Sequence, residues 1–443
     1  MSGKRLTLAR GIRFRCRQCG DCCRSFPVTL SPSEAERYEA RDWSALGILG
    51  PVVRWRREGG ANVPRLARKR DGSCRFLAED GLCEVHRNFG EAEKPLACRL
   101  YPYVFSAGEA QTVASGHFSC SSVAAGDGVP LTSQRKQLHV FEQERSAQGV
   151  ILPLAERLEF TTNLSYTPVE VGSVLDLVAK ELEDSSRAFP ERILAVAKFL
   201  SLVGESRFPS LVAKSAPKAL KGFADGVHEK VGRGILVAPT ATPLPQRLLF
   251  RSLIAFAARR DPASLHDAGF VVRGMRRLGN LIAGITFFAG TGRVQPIGSP
   301  RAVAVGDVRR RAPIADPAAP IADGALTRYF LAQITGRFLY RSTFSLSGVL
   351  PALGLLIRQY PLILLMARAA CLAREGTELS REDYAAALRT ADWTFGRLPL
   401  DRGIRGAVFR SALSDVEAGL AFVPWCAGEV AEQPKLESKA SAS

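Results

Sequence analysis

The sequence predicts a mainly α-helical protein with a small, irregular, cysteine-rich N-terminal domain ahead of a helical domain. Three observations carry this. Eight of the ten cysteines lie between Cys16 and Cys120. From about residue 165 onward, apolar residues recur at three- and four-residue spacing. Hydrophobic residues make up 46% of the 443-residue chain, enough for a sizeable core, and a charged share of 23% argues against global disorder.

The cysteine-rich part should span 1–125, followed by a connection over 126–164, a helical domain with Pro-rich insertions over 165–430, and a disordered tail over 431–443. Gly126-Asp127-Gly128 marks the first boundary. Within the N-terminal part, Ser31, Pro32 and Glu34 spell a capped helix start, and the helix should run to about Asp42. Residues 65–82 read as strand and turn, with Asp71-Gly72 and Asp80-Gly81 as turn signals. Helices are expected over 169–203, 247–260, 326–341, 353–374 and 380–398, the last capped by Ser380 and Asp383. Pro-rich connections at 238–245 and 295–323 interrupt them. The apolar stretch 346–372 is broken by Pro351, Arg358, Pro361 and Arg368, and reads as two buried helices, with no run of about 18 apolar residues to span a membrane.

The net charge is +17, mostly from arginine. Such a charge attracts anions. The basic clusters are short, however, and no long basic run with interleaved aromatics appears, so no nucleic-acid motif is read and the arginines are assigned to a solvated surface. The N-terminus has no apolar segment of the signal-peptide kind. A cytoplasmic location is expected, where thiols stay reduced and clustered cysteines bind metal more often than they pair.

Thiolates are soft anionic ligands, and zinc or iron sites commonly take three or four. Cys16, Cys19 and Cys22 repeat the C-x-x-C spacing twice, and Cys23 follows directly. Adjacent cysteines are expected to project in different directions, which suggests two metal positions, a polynuclear cluster, or one ligand beside a buried thiol. Cys74 and Cys83 bracket a short hairpin turning at Asp80-Gly81. Cys98 and Cys120 complete the candidate metal ligands. The partition of eight thiols between sites stays open. A bacterial ferredoxin run would need Cys-Pro where Phe26-Pro27 stands, and the C-x₃-C-x₂-C run of radical S-adenosylmethionine enzymes is missing too. His86 and His117 are secondary candidates. Tyr101, Pro102 and Tyr103 are expected to pack over the site, with Arg99 offsetting thiolate charge. Cys371 and Cys426, in apolar company, read as core thiols.

The ordered series Cys16-x₂-Cys19-x₂-Cys22-Cys23, Cys74-x-Phe-Leu, Gly81-x-Cys83-x-Val-His86 and Lys-Pro-x-x-Cys98-Arg-x-Tyr-Pro102 resembles the YkgJ-type CxxCxxCC cysteine-cluster family over about residues 13 to 124. The resemblance implies a zinc- or iron-chelating domain, with zinc, iron or a 4Fe-4S cluster as its cofactor. A longer resemblance, to flagellin lysine N-methylase, rests on Gly90-Glu91, Ser119-Cys120, the run Leu326-Thr-Arg-Tyr-Phe330, and Ser380-Arg-Glu-Asp. It implies a protein-lysine methyltransferase with S-adenosylmethionine as donor and a protein such as flagellin as substrate.

The residues themselves supply little for that chemistry. Gly290-Thr-Gly292 after the apolar run 281–288 is a lone G-x-G. No Ser–His–acid set or H-E-x-x-H is present, and catalytic residues are not identified. The functional expectation is therefore a metal-chelating cysteine-cluster protein, with a lysine N-methylase and a thiol or cluster redox sensor as alternatives.

Overall fold

The computed structural model describes residues 5–58, 60–107, 111–148, 156–161, 163–206, 216–258, 275, 286–287, 291–310, 319–336, 348–395 and 404–427. A small strand-containing N-terminal region precedes a helical part, and the protein as a whole is mainly helical.

The first helix of any length, Pro32–Ala40, starts where the sequence says it should. Ser31 accepts from the Glu34 backbone N–H, and the Glu34 side chain accepts from the Ser31 N–H. Thr167 and Glu170 build the same reciprocal cap on the helix Pro168–Glu183. Each cap satisfies donors that the first helical turn would otherwise leave unpaired. Ser380 and Asp383 form the corresponding pair ahead of the helix Arg381–Phe395, with bonds of 2.9 and 3.3 Å.

The expected helical stretch 169–203 is two helices, Pro168–Glu183 and Phe189–Glu205. The reverse error occurs in the longest apolar segment. Val349–Ala373 is one continuous helix, with Pro361 inside it. An interior proline costs about 3 kcal/mol, and the burial of nearly every side chain on this helix offsets that. The helix is long and apolar enough to cross a membrane by length and composition, which corrects the reading of 346–372. However, 94% of its most apolar window lies buried inside the protein, as in a core helix. Arg358 is likewise fully buried. Its guanidinium donates to the carbonyls of Gly354 (2.9 Å), Ala412 (2.8 Å) and Asp415 (2.9 Å) and to Gln246 Oε1 (2.7 Å). Gly354 makes this close approach possible, because a Cβ there would stand 1.8 Å from the Leu413 carbonyl oxygen.

Apart from the strand-and-turn reading of 65–82, which overlaps only the end of the strand Ala61–Leu66, strands escaped the sequence reading. Gln111–Gly116 is the centre of a three-stranded sheet, parallel to Arg5–Leu8 (Arg5 opposite Gln111) and antiparallel to Tyr103–Ala107 (Tyr103 opposite Gly116). The strands are short, and the parallel partner is about a hundred residues away, so no local alternation announces it. Helices Arg135–Ala147 and Ala216–Gly232 were also not anticipated. After the helix Ser121–Ala125, Gly126 and Gly128 turn the chain into Val129–Pro130, which pairs back onto Arg13–Phe14.

Apolar side chains gather in two principal clusters. The larger joins Leu6, Ile12, Phe105, Val113, Phe118 and Val123 of the N-terminal region to the helical core around Val349–Ala373. Phe118 meets Tyr329 edge to face at 5.0 Å. The smaller comprises Leu30, Ala35, Tyr38, Trp43, Val52, Val53, Leu66, Cys74, Phe76, Leu77 and Val85. The tail 431–443, the part 311–318 of the Pro-rich connection, and most of the segment leading to Gly290-Thr-Gly292 fall outside the described residues.

Candidate metal centre

The cysteine motif folds as a loop followed by one short helix. Gln18 (φ 55°) and Gly20 (φ 70°) both take the left-handed conformation, and Gly20 starts the helix Asp21–Ser25. Glycine suits the second position, since a Cβ there would meet the Gly81 carbonyl oxygen at 3.0 Å. These turns set Cys16 and Cys19 on the exposed loop and carry Cys22 and Cys23 inward on the helix. Cys83 stands at the start of the helix Glu84–Phe89, Cys98 lies within Leu96–Leu100, and Cys120 starts Ser121–Ala125.

Separate elements thus deliver their thiols to one place. Cys16, Cys19, Cys22, Cys23, Cys83, Cys98 and Cys120 line a single cavity of about 500 Å³, together with His86. Cys74 is buried behind it, in the smaller apolar cluster, and its backbone N–H donates to the Cys23 carbonyl at 2.8 Å. The hairpin expected around Cys74 and Cys83 is present in reduced form: Leu77 bridges Cys83, and Ala78 N–H donates to Leu82 O at 2.8 Å. Cys371 and Cys426 lie far off, buried in the helical core.

The thiols also influence one another. Cys22 Sγ is 3.9 Å from Cys23 Sγ, so the two do not project apart as expected. The helical turn of Asp21–Ser25 sets them side by side. For two sulfurs on one tetrahedral zinc at 2.3 Å the separation is about 3.8 Å, so the pair fits a shared ion. The hydrogen bond shared with Cys23, burial and the neighbouring Cys23 charge push the Cys22 thiol far up, while Lys94 pulls it down. Burial, then Cys74, push up Cys98, and Cys22 and Cys83 add to this. Burial pushes Cys74 and Cys120 up to about 11 each. Such crowded, dehydrated thiols hold their protons unless a cation takes over the charge, and that is the electrostatic demand of a thiolate metal site. Among the described residues, no three His, Cys, Asp or Glu side chains stand at metal-holding spacing. Among the described residues, a site with three or more ligands therefore requires side-chain rotation.

Tyr101, Pro102 and Tyr103 form part of the cavity wall. Arg99 reaches the cavity and pairs with Glu144 at 2.8 Å. His117 lies behind the wall, stacked on Tyr101 and 3.7 Å from Asp392.

Sequence reasoning missed the part played by the helical half. Asp392 accepts from Ser119 N–H at 2.8 Å, next to Cys120. Arg389 reaches Asp21 at 2.8 Å and the Ser119 carbonyl at 3.3 Å. Arg381 reaches the Ala125 carbonyl and Asp127. The helix Arg381–Phe395 thus ties down two loops that carry cysteines. No local signal marks these residues, because their partners lie more than 250 positions away.

The family model CxxCxxCC, described as "Putative zinc- or iron-chelating domain", matches residues 15–121. No curated protein and no solved structure matches the chain, and the flagellin lysine N-methylase resemblance is not shown. The matched stretch begins just before Cys16 and ends just after Cys120, so it takes in all eight clustered thiols, and over this stretch the chain is similar to that family of cysteine-cluster domains.

Proposed function

We propose that this protein binds zinc or iron, the latter as an ion or an iron–sulfur cluster, through thiolates of the N-terminal cavity. One observation carries the reading: seven cysteines supplied by separate elements open into the same space. Cys22 and Cys23 anchor the metal, with Cys16, Cys19, Cys83, Cys98 and Cys120 in reach of the same cavity and Cys74 behind them. Zinc or iron in such a site acts as a structural staple or a Lewis acid, and iron also exchanges single electrons.

The chain's own residues support this. Lys94 lowers the cost of thiolate charge at Cys22 and Cys98. The Tyr101–Tyr103 segment walls one side of the cavity from water. A reducing compartment, the cytoplasm, suits the ten free thiols. The exposure of Cys16 and Cys19 favours a second reading, in which the bound site responds to oxidants. The lysine N-methylase alternative, with S-adenosylmethionine as donor and a flagellin-type substrate, draws no support from the described residues.

Anaerobic purification followed by metal analysis and absorption spectroscopy tests the proposal. Iron or zinc near one or more equivalents per chain is the expected result. A metal-free protein that takes up neither ion, with its clustered thiols still reduced, overturns it.

A further inference from the structure

The clustered thiols are carried by two different bodies of packed side chains. Cys23 and Cys83 pack against the smaller apolar cluster, and Cys74 is a member of it. The Cys74 N–H donates to the Cys23 carbonyl at 2.8 Å, the Leu77 N–H donates to the Cys74 carbonyl at 3.0 Å, and Leu77 bridges Cys83. Cys98 is fastened to the same cluster. Its helix, Leu96–Leu100, opens with the Leu96 N–H donating to Glu34 at 2.7 Å, and the hydroxyl of Tyr38, a cluster member, donates to the Glu93 carbonyl at 2.9 Å.

The other wall belongs to the main core. Cys120 packs against that core. Cys19 Sγ lies 3.4 Å from Ser121 Oγ, on the helix Ser121–Ala125 that Cys120 starts. Ser122 of that helix accepts from the Arg15 N–H at 3.3 Å and donates to the Arg15 carbonyl at 2.7 Å, directly before Cys16. Cys22 stands between the two sets. Its sulfur is 3.9 Å from that of Cys23, and its charge bears on Cys98 in the first set and on Cys120 in the second. The sets also differ in access: Cys74 is buried, whereas Cys16 and Cys19 are exposed. A closed set of four thiolates suits a structural metal, while exchange requires an open coordination position.

We propose that the cavity holds two metal positions, an inner one on Cys23, Cys74, Cys83 and Cys98 and an outer one on Cys16, Cys19 and Cys120, meeting at Cys22. The inner metal fastens the smaller apolar cluster. The outer metal, open to solvent, exchanges with chelating ligands in solution. The side-chain rotations that coordination requires occur within each set, because each set is fastened to its own wall. This rests on the metal-binding reading above and adds to it the partition of the thiols and a division of labour between them.

The full-length protein, loaded anaerobically with zinc and in parallel with ferrous iron, tests the proposal. The parent should hold about two equivalents per chain, one of them stripped by a chromogenic chelator about tenfold faster than the other. Cys16→Ser/Cys19→Ser, altered only at exposed positions, should keep the slow equivalent alone, with hydrogen exchange across residues 28–98 at parental values. Cys83→Ser should keep the fast equivalent, lose the slow one and exchange faster across 28–98, with 111–116 unchanged. A single equivalent or a single release rate in the parent overturns the partition and leaves metal binding standing. Loss of both equivalents in Cys16→Ser/Cys19→Ser overturns it as well. Uptake of neither ion overturns the partition and the metal-binding reading together.

Discussion

Arg389 and Asp21 are separated by 368 residues of sequence, yet the guanidinium meets the carboxylate at 2.8 Å. Asp21 lies between Cys19 and Cys22, and Arg389 is on the helix that also holds Ser119 through Asp392. The helical half is therefore in direct contact with the cysteine-bearing loops.

Replacing Arg389 by Gln should loosen the Cys16–Cys23 loop without unfolding the protein. Asp21 is partly exposed, so the loss should be modest, about 1 kcal/mol. Asp392→Ala should cost more, about 1–3 kcal/mol, because it removes an acceptor in a buried setting. Denaturant titrations measure both. Limited proteolysis should show faster cutting near residues 16–23 in the Arg389 variant than in the parent.

Cys98→Ser should reduce bound metal and loosen the smaller apolar cluster. That cluster is thin, so metal binding should contribute to its stability. The three-stranded sheet should persist, because Leu6, Phe105 and Val113 belong to the main core. Hydrogen exchange should rise across residues 28–98 and stay near parental values in 111–116 and 349–373. Uniform protection in a metal-depleted Cys98→Ser protein would show that the metal is not a staple.

The metal-free protein should lose stability as pH rises through about 9 to 11. Burial raises Cys74 and Cys120 from an ordinary 9.0 to about 11 in the folded state. The folded chain then binds more protons than the unfolded chain in that window, so stability falls with increasing pH. Below pH 9 their contribution is fully present. Metal displaces these protons, so uptake should strengthen from pH 6 to pH 8 and release protons into weakly buffered solution. Denaturation midpoints against pH and proton release on titration with zinc check the two signs.

Arg358→Ala should destabilise the helical core by about 3–5 kcal/mol, since it opens a cavity and strips donors from the buried carbonyls of Ala412 and Asp415. Burial already lowers the Arg358 pKa to about 10. Arg358→Met should restore part of the packing and none of the hydrogen bonds, leaving a loss of about 2 kcal/mol. Thermal unfolding of the two variants separates volume from polarity.

Local chemistry made several elements legible in advance. The caps at Ser31 and Ser380 needed only side chains three residues apart, and the cysteine series needed only spacing. Pro361 misled for the same reason: proline breaks helices locally, whereas burial of Val349–Ala373 is a property of the whole core. Residues 5–8 show no strand signal because four residues cannot establish a period and their partner begins at Gln111.

The sequence by itself determined which thiols cluster, the mainly helical class and the position of the cysteine-rich region, because cysteine spacing and helical periodicity are written within a few residues. Only the tertiary structure decided that seven thiols share one cavity with Cys74 behind it, that Cys22 and Cys23 stand side by side, and that Asp392 and Arg389 hold the loops around them. Those relationships join positions up to 368 residues apart. Packing and pairing between distant segments create them, and no local pattern encodes which distant segments will meet.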